Sequence, residues 1–549
     1  MSLLPFAANL TTMGAALPER ARFARALRDP CRAQSRILRQ ILRSNARTQY
    51  GAMHRFEQVA NERDFAERVP LADYEAMRPW IDRAANGEAA VLTAAPVRFM
   101  EPTGGTSGAS KLVPYTTALL AEFAAATMPW LCDLMVRRPA LVRGRAYWAI
   151  TPPARRDART VGGVPIGMSD DADYFPAPLR SLLRQSLAVP RLVALAPDVE
   201  SCRYLTLRAL LAAADLALVS VWSPSFLTLL AGALDEHWPS LLRDLERGTI
   251  AAPLPRALAE GVAREMPARP ERARVLRRRF GSHPPEDLGL VWGHLALISC
   301  WTDASAARAL GGMRRRFPSV EVQGKGLLAT EGVVSIPFGD GAPVAAVTSH
   351  YLEFLDPRDG RPCPVDDLDV GGTYEVALTT GGGLYRYRLR DLVRIEGRLR
   401  RTPRLVFAGR SDQASDIAGE KLTAPLVERA LGAAARAAGV TAGFAMLAPA
   451  WTPAPHYRLY VDAPTSDADG LARALDRELH RAHHYALCRS LGQLGPVRGV
   501  SVSAGERTYE RACAARGQRA GAIKPPALES TPGWERWFES DETNVLRRP

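Results

Sequence analysis

Residues 103–111 read TGGTSGASK. Glycines, hydroxyl side chains and a closing lysine in so short a run are the residue types that hold a phosphate. Glycine lets backbone N–H groups approach the oxygens, as Gly105 and Gly108 could. Thr103, Thr106 and Ser107 offer hydroxyls, and Lys111 adds a positive charge. The run is not a Walker A loop, because Ser110 precedes the lysine and Leu112 follows it. It is not GxGxxG either. The same composition also suits an ordinary glycine-rich surface turn. Further along, LLATEG (327–332) carries Thr330 and Glu331, and a carboxylate such as Glu331 is an oxygen donor suited to a hard divalent cation.

Four of the 71 basic residues are lysine: Lys111, Lys325, Lys421 and Lys524. In a chain that uses arginine almost everywhere, a retained lysine marks a place where a compact point charge is needed in place of a planar fork. All four lie near glycine- or proline-bearing stretches, and at least two are expected to contact a phosphate or reacting group. Chance retention on the surface is the alternative. His480, His483 and His484 have i, i+3, i+4 spacing, but no cysteine or carboxylate set accompanies them, and surface packing accounts for them better than a metal site. No G-x-S-x-G nucleophile elbow occurs.

The elements that would position these residues follow from periodicity. FARALRDPCRAQSRILRQILRSNA has apolar positions at helical spacing. AAVLTAAPVRFM (89–100) reads as extended, and TTALLAEFAAATMPWLCDLMV as a buried helix, which places the glycine-rich run between a strand and a helix. RAYWAI (145–150), LALVSVW (216–222) and LGLVWGHLALISCW (288–301) read as buried strands with helices between them, the alternation of an α/β fold. From about residue 345 short strands separated by Gly, Pro and Asp suggest an antiparallel sheet or barrel. After GRSDQ (409–413) the pattern is helix, two strands and a second helix through LARALDRELHRAHHYALCRSLG, a small α+β domain. The stretch from about 505 onward is rich in Gly, Pro and Arg and is expected to loop back onto another part of the chain. The boundaries drawn are 1–410 for a large domain and 411–549 for a small, mobile one.

Composition narrows the classes. A chain of 549 residues, 47% hydrophobic and 23% charged, is globular and too long for one simple core. The formal charge of +13 is spread along the chain with no basic tail, so nucleic acid is not the expected partner. No apolar run of membrane-spanning length stands out, and the start MSLLPFAANL has no basic residue ahead of its apolar stretch, unlike a secretory signal. The seven cysteines are scattered without a CxxC, which fits a reducing cytoplasm.

The chain resembles the GH3 family of acyl-acid amido synthetases, a branch of the adenylate-forming ANL superfamily, as a bacterial-type member. The resemblance runs through most of the sequence: NARTQYG (45–51), DFAERVPLADYEAMRPWI, NGEAAVLT, TGGTSGASKLVPYT, LLATEG, YLEFLDP, GLYRYRLRDLV, FAGRSDQ and HHYALCRSLG. It implies a large adenylation domain of α/β sheets with a barrel-like subdomain, and a small C-terminal domain that rotates between half-reactions. The glycine-rich run would be the superfamily's phosphate loop. Thr330 and Glu331 would meet phosphate and Mg²⁺, Asp391 the ribose hydroxyls, and Arg410 ribose or phosphate, with Asp412 at the hinge. GQRAGAIKPP (517–526) would make Lys524 the C-terminal lysine that approaches the acyl carboxylate and α-phosphate; Lys421, after the hinge, is a further phosphate candidate. Three departures stand out: Gly104 where many members have Ser, Arg390 before Asp391 where plant members have Gly, and a wider Gln518-to-Lys524 spacing.

The implied reaction joins a carboxylic acid to an amine, such as an amino acid, through acyl-AMP, with ATP and Mg²⁺. The acceptor is expected to be a free small molecule, since no carrier domain is attached, and the protein is expected to be a monomer. The rivals are an acyl-CoA ligase sharing the first half-reaction and an inactive nucleotide-binding protein. Stretches 161–175 and 221–230 are expected near the acyl group, and their Met, Phe and Trp suggest an apolar or aromatic acid.

Overall fold

The computed structural model describes residues 3–103, 111–149, 158–167, 177–251, 254–412, 414–516, 518 and 523–539. The chain divides into two compact units. The first holds the residues up to Trp222, Phe226–Trp301 and Arg315–Phe407; the second holds Ser223–Ser225, Thr302–Arg314 and the chain from Ala408 onward.

The first unit begins in helices, among them Leu3–Ala26, Pro30–Asn45 and Tyr74–Ala85. Pro30–Asn45 starts as such helices should: Asp29 caps it by accepting the Arg32 N–H, and Pro30 occupies the first turn, where its missing N–H costs nothing. A four-stranded parallel sheet follows in the order Arg145–Trp148, Leu216–Ser220, Leu297–Cys300, Glu321–Gly324. Leu216–Ser220 is buried along its whole length, as a strand covered on both faces must be. The apolar stretch 288–301 divides differently from expectation. Leu288–Val291 forms a 3₁₀ turn capped by Asp287, and only Leu297–Cys300 enters the sheet. An apolar run alone does not distinguish a buried turn from a buried strand.

Beyond residue 330 a seven-stranded antiparallel sheet takes over. Its central strand is Tyr387–Leu399, flanked by Thr373–Thr379 and Thr402–Arg410, with Tyr351–Leu355 on the far side of Thr373–Thr379. The helix Thr117–Arg137 is long and apolar enough to cross a membrane, although no such run stood out in the sequence. Its Leu119, Leu120, Phe123, Met128 and Leu131 lie in the core of the first unit with Leu352, Phe354, Val376 and Tyr385.

The second unit has a three-stranded sheet. Ala445–Ala450 pairs antiparallel with His456–Val461, which pairs parallel with Arg498–Ser501. Alternate residues face two cores. Leu447, Tyr457 and Leu459 pack with Val427, Leu431, Leu471 and Leu475, while Phe444, Met446 and Tyr460 pack with Tyr509 and Trp534. The long C-terminal helix inferred from periodicity is two helices, Thr465–Leu479 and His483–Ser490. His480 caps the first, its Nδ1 2.7 Å from the Asp476 carbonyl oxygen, so the three histidines do not share one helix face. No group of three or more metal-ligating side chains occurs among the described residues. The stretch after 505 begins with helix Gly505–Ala515.

Candidate active site

The described ends of the glycine-rich run, Thr103 and Lys111, close a two-stranded antiparallel ribbon. Phe99–Pro102 pairs with Leu112–Tyr115, and the Thr103 N–H donates to the Lys111 carbonyl at 2.8 Å. The run therefore leads from strand to strand; the helix begins only at Thr117. Gly105, Thr106, Ser107 and Gly108 lie outside the described residues, as does Gly104.

Lys111 stands over the Tyr74 ring, its Nζ 5.5 Å from the centroid. Tyr74 opens helix Tyr74–Ala85, and its hydroxyl accepts the Leu112 N–H at 2.9 Å. Asp73 caps the same helix by accepting the Ala76 N–H. That hydrogen bond, together with the Arg390 guanidinium 3.5 Å away, holds the Asp73 carboxyl below its ordinary range despite partial burial. Ala72 exchanges backbone hydrogen bonds with Arg386 and Arg388. One tripeptide, Ala72–Asp73–Tyr74, thus gathers the end of the glycine-rich run and the strand that carries Asp391.

Thr330 and Glu331 are the two-residue turn of a small hairpin in which Leu328 pairs with Val333 and Ala329 with Gly332. Both are partly exposed. The Tyr115 hydroxyl donates to the Thr330 carbonyl at 2.6 Å. Leu112–Tyr115, the strand leaving Lys111, therefore ends at this turn. One partly exposed carboxylate there suits Mg²⁺, which takes few protein ligands and fills its shell with phosphate oxygens and water.

Asp391 is buried, on a strand whose pairing breaks beside it. Glu375 faces Leu392 and Ala377 faces Arg388, so Leu389, Arg390 and Asp391 stand opposite Val376 alone. Such a bulge re-aims side chains. It also explains the residue before Asp391: Arg390 has φ +65°, a conformation that glycine adopts freely and arginine at a cost. The rest of GLYRYR is structural. The Tyr385 hydroxyl donates to the Leu92 carbonyl. Buried Arg386 pairs with Glu353 and donates to the carbonyls of Ala66 and Val69. Arg388 pairs with Glu375. Burial pushes the Glu353 carboxyl up, and the Arg386 charge opposes that.

In the second unit the Arg410 guanidinium makes two hydrogen bonds to the Asp412 carboxylate, at 2.9 and 2.8 Å. Lys421 is exposed, with φ +49°. The loop before it is tied down by buried Glu420, which accepts the N–H groups of Ile417 and Ala418 and the Tyr457 hydroxyl. Lys524 is partly buried and lines a small cavity of this unit with Phe444, Glu506 and Ser225. Lys325, in the first unit, is buried: its Nζ donates to Ser220 Oγ at 2.7 Å and lies 4.6 Å from the Trp222 ring centroid.

The structure thus joins Lys111, Thr330 and Asp391 through shared partners within one unit. Asp73, Tyr74 and Tyr115, which make those joints, escaped sequence inspection. Asp73 carried a signal, an acidic residue placed to cap a helix; Tyr115 carried none.

Three family domains match the sequence: the GH3 family N-terminal domain over residues 19–322, the central domain over 344–410 and the C-terminal domain over 426–532. The chain is 27% identical to the indole-3-acetic acid-amido synthetase GH3.15 of Arabidopsis thaliana over 415 residues, covering 69% of this chain and 67% of that one. It is 28% identical to the probable indole-3-acetic acid-amido synthetase GH3.4 of Oryza sativa subsp. japonica, covering 84% and 76%. Its fold is that of a GH3.15 acyl acid amido synthetase structure, with TM-score 0.81 at 20% identity over 95% of both chains. A second structure of that enzyme, in complex with 2,4-DB, gives TM-score 0.81 at 19% identity over 96% of both chains. The matched domains account for most of the sequence, and the chain belongs to the GH3 family.

Proposed function

We propose that the protein is an ATP-dependent, AMP-forming acyl-amino acid ligase. It activates a small carboxylic acid as acyl-AMP and passes the acyl group to an amine, in the first instance an amino acid. The observation that carries this reading is the joining of Lys111, Thr330 and Asp391 in one unit of a chain with the amido-synthetase fold.

In the first half-reaction a carboxylate oxygen of the acid attacks the α-phosphorus of ATP and pyrophosphate leaves. Thr103, Gly105, Thr106, Ser107, Gly108 and Lys111 hold the phosphates, and Lys111 offsets charge on the leaving group. Glu331 is the protein ligand for Mg²⁺ and Thr330 a phosphate contact; the metal, when bound, neutralises charge on the phosphate oxygens. Asp391 accepts hydrogen bonds from the ribose hydroxyls. Arg410, released from Asp412, and Lys421 are further contacts to ribose or phosphate. Lys524 meets the acyl carboxylate and α-phosphate. In the second half-reaction the amine attacks the acyl carbon and AMP leaves. Movement of the domain after about residue 410 exchanges the two sets of contacts. The enzyme acts as a cytoplasmic monomer, and its seven cysteines, all free thiols, suit that compartment.

The test is ATP-dependent pyrophosphate release across a panel of carboxylic acids, with amino acids and CoA supplied separately. Release that depends on one acid, with repeated turnover only when an amino acid is present, is the expected result. Turnover only with CoA would replace this reading with an acyl-CoA ligase.

A further inference from the structure

His350 is fully buried, immediately before the strand Tyr351–Leu355. Its Nδ1 lies 2.8 Å from Oε2 of Glu122 on helix Thr117–Arg137. Facing a carboxylate, Nδ1 carries a proton and donates it to Glu122. Nε2 is buried and has no hydrogen-bond partner among the described residues. A buried ring nitrogen left unpaired carries a free-energy cost, which raises the question of what the ring is for.

The ring edge points to that purpose. A Cβ placed on Gly332 would stand 3.0 Å from both Cδ2 and Nε2 of His350, so the edge rests directly on the Gly332 backbone. Gly332 follows Glu331 in the hairpin. The ring cannot easily turn away: Glu122 holds one side, and Phe123 packs against it edge-on at 5.6 Å. Glu122 is itself anchored, since both its oxygens accept the Gly381 N–H, at 2.8 and 3.0 Å. Gly381 lies in the turn that leads into the strand of Asp391, and its carbonyl accepts the Thr116 hydroxyl.

We propose that His350, oriented by Glu122, is a positioning residue: its ring edge sets where the Thr330–Glu331 turn stands, and so where Glu331 meets the divalent cation that accompanies ATP. This rests on the adenylation reading given above. A histidine that merely filled space would affect stability and leave the metal requirement alone.

The experiment uses the full-length protein and two variants. His350→Asn keeps an N–H for Glu122 and withdraws the ring edge from Gly332. Gly332→Ala inserts a methyl group into the same contact from the other side, where no left-handed backbone forbids it. The first readout is ATP binding by calorimetry as a function of Mg²⁺ concentration; the second is pyrophosphate release at varied Mg²⁺ and varied acid. A displacement of about 1 Å at such a site is worth up to about a hundredfold. Each variant is expected to raise the half-saturating Mg²⁺ concentration at least about tenfold and leave the KM for the acid unchanged. The two effects should be non-additive, because they act on one contact. A folded variant with the Mg²⁺ midpoint of the unmodified protein in both readouts would overturn the proposal; if His350→Asn does not fold, Gly332→Ala decides alone. ATP binding without pyrophosphate release would refute the adenylation reading while the binding arm still judged His350. No ATP binding by the unmodified protein would overturn both.

Discussion

The Tyr115 hydroxyl donates to the Thr330 carbonyl across 2.6 Å, joining positions 215 residues apart. Tyr115 ends the strand that leaves Lys111, so the lysine and the turn bearing Glu331 share one rigid support. Tyr115→Phe keeps the ring and removes this bond, at a cost of about 1 kcal/mol. We expect a small fall in melting temperature and a larger fall in kcat for pyrophosphate release, with the KM for the acid unchanged. An unchanged kcat would show that the turn holds its place without the bond.

Arg390 occupies the left-handed region, which costs a non-glycine residue roughly 1–2 kcal/mol. Its ion pair with Asp73 is long, at 3.5 Å, and substantially exposed, so it returns little of that. Arg390→Ala loses the pair and keeps the strained backbone; Arg390→Gly loses the pair and relieves it. Chemical denaturation should find the glycine variant more stable than the alanine variant by about 1 kcal/mol. Equal stabilities would mean that the bulge relaxes around alanine.

Loss of one well-placed charge donor costs on the order of 10²–10³ in rate. Lys524→Ala should slow adenylation by that factor while the melting temperature stays near that of the unmodified protein, since Lys524 is only partly buried. Near-normal pyrophosphate release by the folded variant would remove Lys524 from the site.

Acid should loosen the second unit through His456. The side chain is buried, its Nδ1 2.8 Å from the Ala454 carbonyl oxygen, and its Nε2 faces Arg458. Burial depresses its pKa below the ordinary 6.5, the Ala454 bond opposes this, and Arg498 and Arg458 add to the depression. The neutral ring is therefore the form that the fold favours. Its contribution is complete above the unfolded value and is lost as pH falls through the lower folded one, at about 1.4 kcal/mol for each unit of depression. Unfolding followed from about pH 7 to 5 should show a decline that His456→Asn flattens.

Much of the fold could be read from periodicity because it rests on local pattern. Leu216–Ser220 is apolar along its length and lies within a parallel sheet, and the short strands after 345 are separated by turn residues. Two features resisted for stated reasons. Leu112–Tyr115 contains Pro114, which argues against a strand, yet a two-stranded ribbon leaves an edge where the missing N–H is harmless. The break between Leu479 and His483 has neither glycine nor proline to announce it. In the site, Lys111, Glu331 and Asp391 are visible because their residue types are unusual in their settings. Tyr115, Glu122 and His350 are not, because each matters only through a partner far along the chain, and three-dimensional contact is the one thing that a run of letters does not display.

The interruption opposite Val376 has an arithmetic consequence. It places three residues against one, an excess of two, and two is the period of a strand. Tyr387, Leu389, Asp391, Val393 and Ile395 all remain buried, so the alternation runs through the interruption without losing phase. A deletion of one residue there would invert every side chain beyond it and turn the sheet's interior outward. A deletion of two would leave the interior intact and remove only the displacement of Asp391. The stretch that presents this carboxylate can therefore lengthen or shorten in even steps without consulting the rest of the sheet, and odd steps are barred to it.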